Sequence, residues 1–169
     1  SDDNTMFSWS VEKKKKDLVF SGFLNQRDQG GLNYDPNFYW ESYIAKYVRF
    51  KNSIMISKDG KTLIKGKFGT KVKRWDIATG KLVMEYVGHK KAVLCYDLSN
   101  DGKRMLTGGG DGKIMLWNVE TGDSLNVIES YREPIFDIHF SDDETKILSC
   151  SWDASMKIHD IKTGKLLTY

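Results

Sequence analysis

Apolar and polar positions alternate along this chain in short bursts, and the bursts recur. Between Gly88 and Gly122 the pattern predicts three strands, Ala92 to Leu98, Arg104 to Thr107 and Lys113 to Val119. Asp101-Gly102 and Asp111-Gly112 mark the turns between them, because glycine accepts the positive φ that a two-residue hairpin needs. The same arrangement returns on either side. Trp75, Trp117 and His159 lie 42 residues apart, as do Asp59, Asp101 and Asp143, and Gly80, Gly122 and Gly164. A period of that size is the signature of a repeat architecture. The first unit has its apolar positions at Ile54, Ile56, Leu63, Ile64, Val72 and Trp75. The third runs from Ser130 to Gly164, with Ile135, Ile138, Phe140, Ile147, Leu148, Met156 and Ile158 in matching places. The fold class expected is all-β.

Two stretches depart from the period. Ser1 to Glu12 fits Gly109 to Glu120, with Asp3 on Asp111, Trp9 on Trp117 and Val11 on Val119, so the chain is expected to begin inside a repeat. From Trp9 to Trp75 is 66 residues, which leaves about 24 inserted between Asn25 and Tyr47. Within them Asp35-Pro36 reads as a cap followed by proline at the first helical position. Tyr39, Trp40, Tyr43, Ile44 and Tyr47 then fall on one helical face. A short amphipathic helix is expected there, packed on neighbouring strands or offered to a partner. At the other end, Leu166 to Tyr169 reads as the start of an outer strand.

Composition narrows the function only a little. The chain has 169 residues, 40% of them hydrophobic, with a net charge of +3. That charge is too small to imply nucleic acid by itself. No apolar run is long enough for a membrane helix, and no signal peptide is visible. Cys95 and Cys150 sit in strands of different repeats, as small hydrophobes of an intracellular protein would. A cytoplasmic or nuclear location is expected. Lys13 to Lys16 falls at a turn, as a solvated hairpin tip or as a contact for phosphate or an acidic partner.

Gly88-His89, Leu98-Ser99 before Asp101-Gly102, Asp111, and Trp117-Asn118 where Trp-Asp is usual, together with Trp75-Asp76, carry a resemblance. The chain resembles the WD40-repeat β-propellers over about 135 of its residues. The resemblance implies four-stranded antiparallel blades set around a channel. It divides the chain into the end of a truncated blade (1–24), the insertion with its short helix (25–47), a degenerate blade (48–87), the best-formed blade (88–129) and a truncated degenerate blade (130–169). It also implies a buried network in each blade, complete in the middle one as His89, Thr107, Asp111 and Trp117. Its counterparts are Tyr131, Ser149, Asp153 and His159 in the third, and Tyr47, Lys65, Gly69 and Trp75 in the first. The middle blade is therefore expected to be the most rigid.

Docking on the channel-mouth face is a further implication of the resemblance. The positions pointing there are Ala92, Leu94 and Gly110 in the second repeat, Pro134, Phe136 and Trp152 in the third, and Phe50, Asn52 and Phe68 in the first. The residues alone single out Phe136 and Trp152, large aromatics out of phase with the core-facing Ile135, Ile138 and Phe140. Partner binding is thus assigned to Phe136, Trp152, Pro134, Leu94, Phe68 and Asn52.

No enzymatic constellation stands out. GGGDGK at Gly108 to Lys113 lacks the spacing of a phosphate loop and joins strand to strand. The three histidines have no cysteine or carboxylate at metal-ligand spacing, and no nucleophile elbow is present. No catalytic residue, cofactor, metal, small-molecule substrate or membrane partner is expected. The function expected is a non-catalytic scaffold for protein partners within a larger assembly. One alternative is a structural subunit of a ribonucleoprotein particle, touching RNA through Lys13 to Lys16 and Lys71, Lys73 and Arg74. The other is a ubiquitin-ligase substrate receptor, although Trp75-Asp76 and Trp117-Asn118 are not followed by the arginine that many such receptors resemble one another in carrying.

Overall fold

The computed structural model describes residues 6–10, 15–20, 54–66 and 69–168, the first two segments as backbone only. Every regular element among them is a β-strand. Strands β1 (Met6–Ser10) and β2 (Lys15–Phe20) form a hairpin. The first four-stranded sheet holds β3 (Met55–Ile56), β4 (Thr62–Lys65), β5 (Lys71–Asp76) and β6 (Leu82–Val87). The second holds β7 (Val93–Leu98), β8 (Arg104–Gly109), β9 (Lys113–Asn118) and β10 (Ser124–Glu129). The third holds β11 (Ile135–Phe140), β12 (Lys146–Ser151), β13 (Met156–Asp160) and β14 (Leu166–Thr168). Strands pair in chain order, each antiparallel to the next. The helix expected after Pro36 lies outside the described residues.

Local chemistry explains why the period is kept so strictly. Ser57, Ser99 and Ser141 each donate a side-chain hydrogen bond to the carboxylate two residues on, at Asp59, Asp101 and Asp143. The same carboxylate oxygens accept the backbone N–H of Lys61, Lys103 and Thr145 at 3.0 Å. These bonds close the turn between the first two strands of each sheet and hold the three carboxyls below their ordinary range. Asp76, Asn118 and Asp160 do equivalent work at the end of the third strand, accepting from the backbone N–H of Thr79, Thr121 and Thr163.

The outer hairpins share one register. Trp9 pairs with Lys16, Trp75 with Leu82, Trp117 with Ser124 and His159 with Leu166. In each hairpin the register then shifts at the same step, so that Ser8 pairs with Leu18, Arg74 with Met84, Leu116 with Asn126 and Ile158 with Thr168. A bulge repeated at one place increases twist and bends the strand there.

Packing follows from period-two alternation. In the second sheet Val93, Tyr96, Met105, Met115, Trp117 and Val119 join Ile64, Val72 and Tyr86 of the first sheet. Its other face, Cys95, Leu106, Ile114, Leu116 and Ile128, joins Tyr131, Ile135, Ile138, Ile147 and Ile161 of the third. Buried on both faces, the second sheet reads as nearly continuous apolar runs such as Ile114 to Trp117. Seams between sheets also carry polar contacts. The Tyr86 hydroxyl donates to the Val119 carbonyl at 2.7 Å, and the Phe140 N–H donates to Asp97 Oδ2 at 2.9 Å. Arg104, whose guanidinium stacks over the Phe140 ring, pairs with Glu144.

Candidate functional site

The second sheet brings His89, Thr107, Asp111 and Trp117 together. The Trp117 indole N–H donates to Thr107 Oγ1 at 2.9 Å, and Thr107 Oγ1 lies 2.7 Å from His89 Nε2. His89 Nδ1 is 3.0 Å from Asp111 Oδ1, and the same carboxylate accepts the N–H of Lys90 at 2.8 Å and of Lys113 at 3.2 Å. Indole can only donate and a carboxylate can only accept. With a neutral His89 carrying its proton on Nδ1, the bonds run in one direction: Trp117 to Thr107, Thr107 hydroxyl to His89 Nε2, and His89 Nδ1–H to Asp111. Burial pushes the Asp111 carboxyl up, but the hydrogen bonds from His89 and the two backbone donors outweigh it and hold it below its ordinary range. Thr107 is fully buried and His89 is nearly so. Gly109 is what leaves room: a Cβ there would sit 2.5 Å from His89 Nδ1 and 2.6 Å from Asp111 Oδ1. Sequence reading passed over Gly109 because it lies in a glycine run and carries no chemistry of its own.

The third sheet holds a different set at the same places. The Tyr131 hydroxyl reaches the Ser149 carbonyl at 2.9 Å and Ser149 Oγ at 3.1 Å. Lys157 packs its ammonium 4.0 Å from the centre of the Tyr131 ring. Asp153 accepts from Ser155 by side chain and backbone. His159, in the place of Trp117, has Nε2 3.1 Å from Ser130 Oγ, while its buried Nδ1 has no hydrogen-bond partner. Burial, with help from Lys157, lowers its pKa. In the first sheet Lys65 stands where Thr107 does, and burial lowers its ammonium to about 8. Trp75 is fully buried there.

The residues assigned to partner binding separate in the structure. Phe136 and Trp152 meet, with ring centroids 5.4 Å apart and planes tilted by 60°. Trp152 is 52% exposed and Phe136 is half-buried. Phe136 is the unpaired residue of a bulge, since Ile135 pairs with Ser151 and Asp137 with Cys150. That extra residue takes it out of the core alternation and aims it at the rim beside the β12–β13 turn. Leu94 occupies the same bulge position in β7 but is buried, and Pro134 is buried as well. Packing within the array covers both side chains. Phe68 and Asn52 lie outside the described residues.

The basic cluster expected to reach RNA makes ion pairs within the array. Lys71 and Lys73 both pair with Glu85, at 3.0 and 3.4 Å, and Arg74, itself buried, pairs with Glu120 at 3.1 Å. No group of three or more histidine, cysteine or acidic residues able to hold a metal ion occurs among the described residues. No helix among them is long and apolar enough to cross a membrane.

Comparison with known proteins agrees with this geometry. The family model "WD domain, G-beta repeat" matches residues 80–118 and 122–160. The chain is also 44% identical over 48 residues to Autophagy-related protein 16 of Arabidopsis thaliana, a segment that is 28% of this chain and 9% of that protein. WD40 repeats serve as protein-interaction scaffolds and are generally non-catalytic. The chain carries WD40 repeats at residues 80–118 and 122–160, and its successive four-stranded antiparallel sheets are consistent with WD40 blades of an incomplete all-β propeller.

Proposed function

We propose that the chain docks protein partners through the channel-mouth rim of its third blade, as a non-catalytic subunit of a larger assembly. The Phe136–Trp152 pair carries this reading. Two large aromatics held in contact at a rim, one of them half exposed, supply rigid apolar area at low entropic cost, which is how binding hot spots are built. The bulge at Phe136 serves no pairing role in the sheet, so its aim toward Trp152 is available for recognition. The likeness to Autophagy-related protein 16 is compatible with this reading, and its short span brings no partner with it.

Phe136→Ala combined with Trp152→Ala tests the reading. Affinity purification of the two forms should show partners lost from the double variant while its thermal midpoint stays near that of the parent. Equal recovery of partners by both forms would refute the docking rim. Binding carried by this pair should also depend weakly on salt, whereas an RNA contact loses affinity steeply as salt rises. The ion pairs of Lys71, Lys73 and Arg74 favour the weak dependence.

A further inference from the structure

Four positions of the middle blade change together in the third. Gly88, His89, Met115 and Trp117 have Ser130, Tyr131, Lys157 and His159 as their counterparts 42 residues on. The first set closes its corner with apolar atoms: a Cβ at Gly88 would sit 2.5 Å from Met115 Cε and 2.9 Å from Trp117 Cη2. A side chain there has room only once both neighbours change. In the third blade both have changed, and the new side chain is a hydroxyl set between two basic groups. Ser130 Oγ lies 3.1 Å from His159 Nε2. The Lys157 ammonium donates to the Ser130 carbonyl and packs 4.0 Å from the centre of the Tyr131 ring. Met115 and Trp117 pack toward the first sheet. By the same alternation Lys157 and His159 lie on the side of β13 toward the second sheet, opposite Met156 and Ile158.

Positive charge in this corner is not balanced. Lys157 is met by a carbonyl and an aromatic ring, which do not cancel a full charge. The carboxylates nearby are committed, Asp153 to Ser155 and Glu129 to Lys113. Arg132 and Glu133, both exposed on the same connection, offset one another. His159 is 3% exposed, and its Nδ1 has no hydrogen-bond partner. We propose that Ser130 is a phosphorylation site and that Lys157 and His159 form the seat for its phosphoryl group. Ser130 is partly exposed at the start of the connection from β10 to β11, so solvent reaches it. A protein kinase supplies the group from a nucleoside triphosphate. The Ser130 O–H bond breaks, its oxygen bonds to the γ-phosphorus, the nucleoside diphosphate leaves, and the proton passes to the kinase's base. The new dianion then meets an ammonium and an imidazole already in place, and charge-assisted hydrogen bonds replace neutral ones. Burial lowers the pKa of His159 in the unmodified chain. A phosphate beside Nε2 acts the other way and holds its proton.

This site is separate from the Phe136–Trp152 rim, and its test reads no partner. Phosphoserine is installed at position 130 by genetic encoding. The modified chain should melt roughly 4 °C or more above the unmodified one at neutral pH. The His159 imidazole, followed by NMR, should titrate at a higher pH than in the unmodified chain. Lys157→Gln keeps a donor of similar reach and removes the charge, so it should remove most of the gain. A modified chain that melts at or below the unmodified one would overturn the assignment, as would a gain untouched by Lys157→Gln. If Lys157→Gln fails to fold, the His159 titration decides alone, and one that does not rise refutes the seat. Inorganic phosphate that raises the unmodified midpoint by the same amount would also overturn it, because the corner would then serve a free anion.

Discussion

Thr107→Val is the sharpest probe of the middle blade. The change keeps the branched shape of the side chain and deletes one atom, the Oγ1 that joins His89 Nε2 at 2.7 Å to Trp117 Nε1 at 2.9 Å. No water can replace it cheaply, because the residue is fully buried. Two polar groups are stranded at once, and each unsatisfied buried group costs about 1–3 kcal/mol, so the loss should be about 2–5 kcal/mol. Ser149→Ala in the third blade is the internal control. There the Tyr131 hydroxyl keeps its 2.9 Å bond to the Ser149 carbonyl, so the loss should stay near about 1 kcal/mol. Urea unfolding followed by circular dichroism measures both. Trp117→Phe combined with Thr107→Val should cost less than the sum of the single changes, since they share a bond. A loss for Thr107→Val no larger than the Ser149→Ala control, or strict additivity with Trp117→Phe, would refute the directed chain of bonds.

Two further outcomes come from the third blade. Ala154 adopts φ 62° at the place where Gly112 has φ 72°. Ala154→Gly should raise stability by up to about 1 kcal/mol, the left-handed penalty less the entropy glycine loses, measured as a higher urea midpoint. His159 has its pKa lowered by burial. As pH falls below its ordinary value of 6.5 the unfolded chain takes up a proton that the folded one resists, so stability should decline from that pH downward. His159→Phe should flatten that limb of the stability-versus-pH curve, and an unchanged slope would refute the assignment.

Much of this fold was legible because it is written several times. A single Trp-Asp or Asp-Gly would be weak, but Asp59, Asp101 and Asp143 lock the same turn by the same two bonds. Their spacing in sequence is their spacing in structure. The middle network was legible through the resemblance to WD40 repeats, since its four members fall at the positions where that family carries such a network. Burial at the rim was harder to read. Leu94 and Phe136 hold identical bulge positions, yet Leu94 is buried and Phe136 only half so. Whether a bulge residue is covered depends on neighbouring chain, which period and hydropathy do not record. Gly109 was invisible for another reason: its contribution is space, and only the His89–Asp111 geometry shows what that space is for.

The three blades differ in where their apolar and polar surfaces end up, and that difference sorts stability from recognition. The middle blade is covered on both faces and closes its polar groups on one another, so nearly every side chain in it is committed to the array. The third blade replaces the tryptophan with His159, the glycine before the turn with Trp152 and the turn glycine with Ala154. Each change weakens an internal fit: an orphaned Nδ1, a large ring at a turn, a left-handed alanine. Residues that a repeat could keep at no cost, but does not, mark where selection acts on something other than the fold of that unit. The exposed ring of Trp152 lies on that same unit. On the docking reading proposed above, recognition is concentrated on the blade whose own internal fit is least complete, while its intact neighbour holds the geometry against which a partner is read.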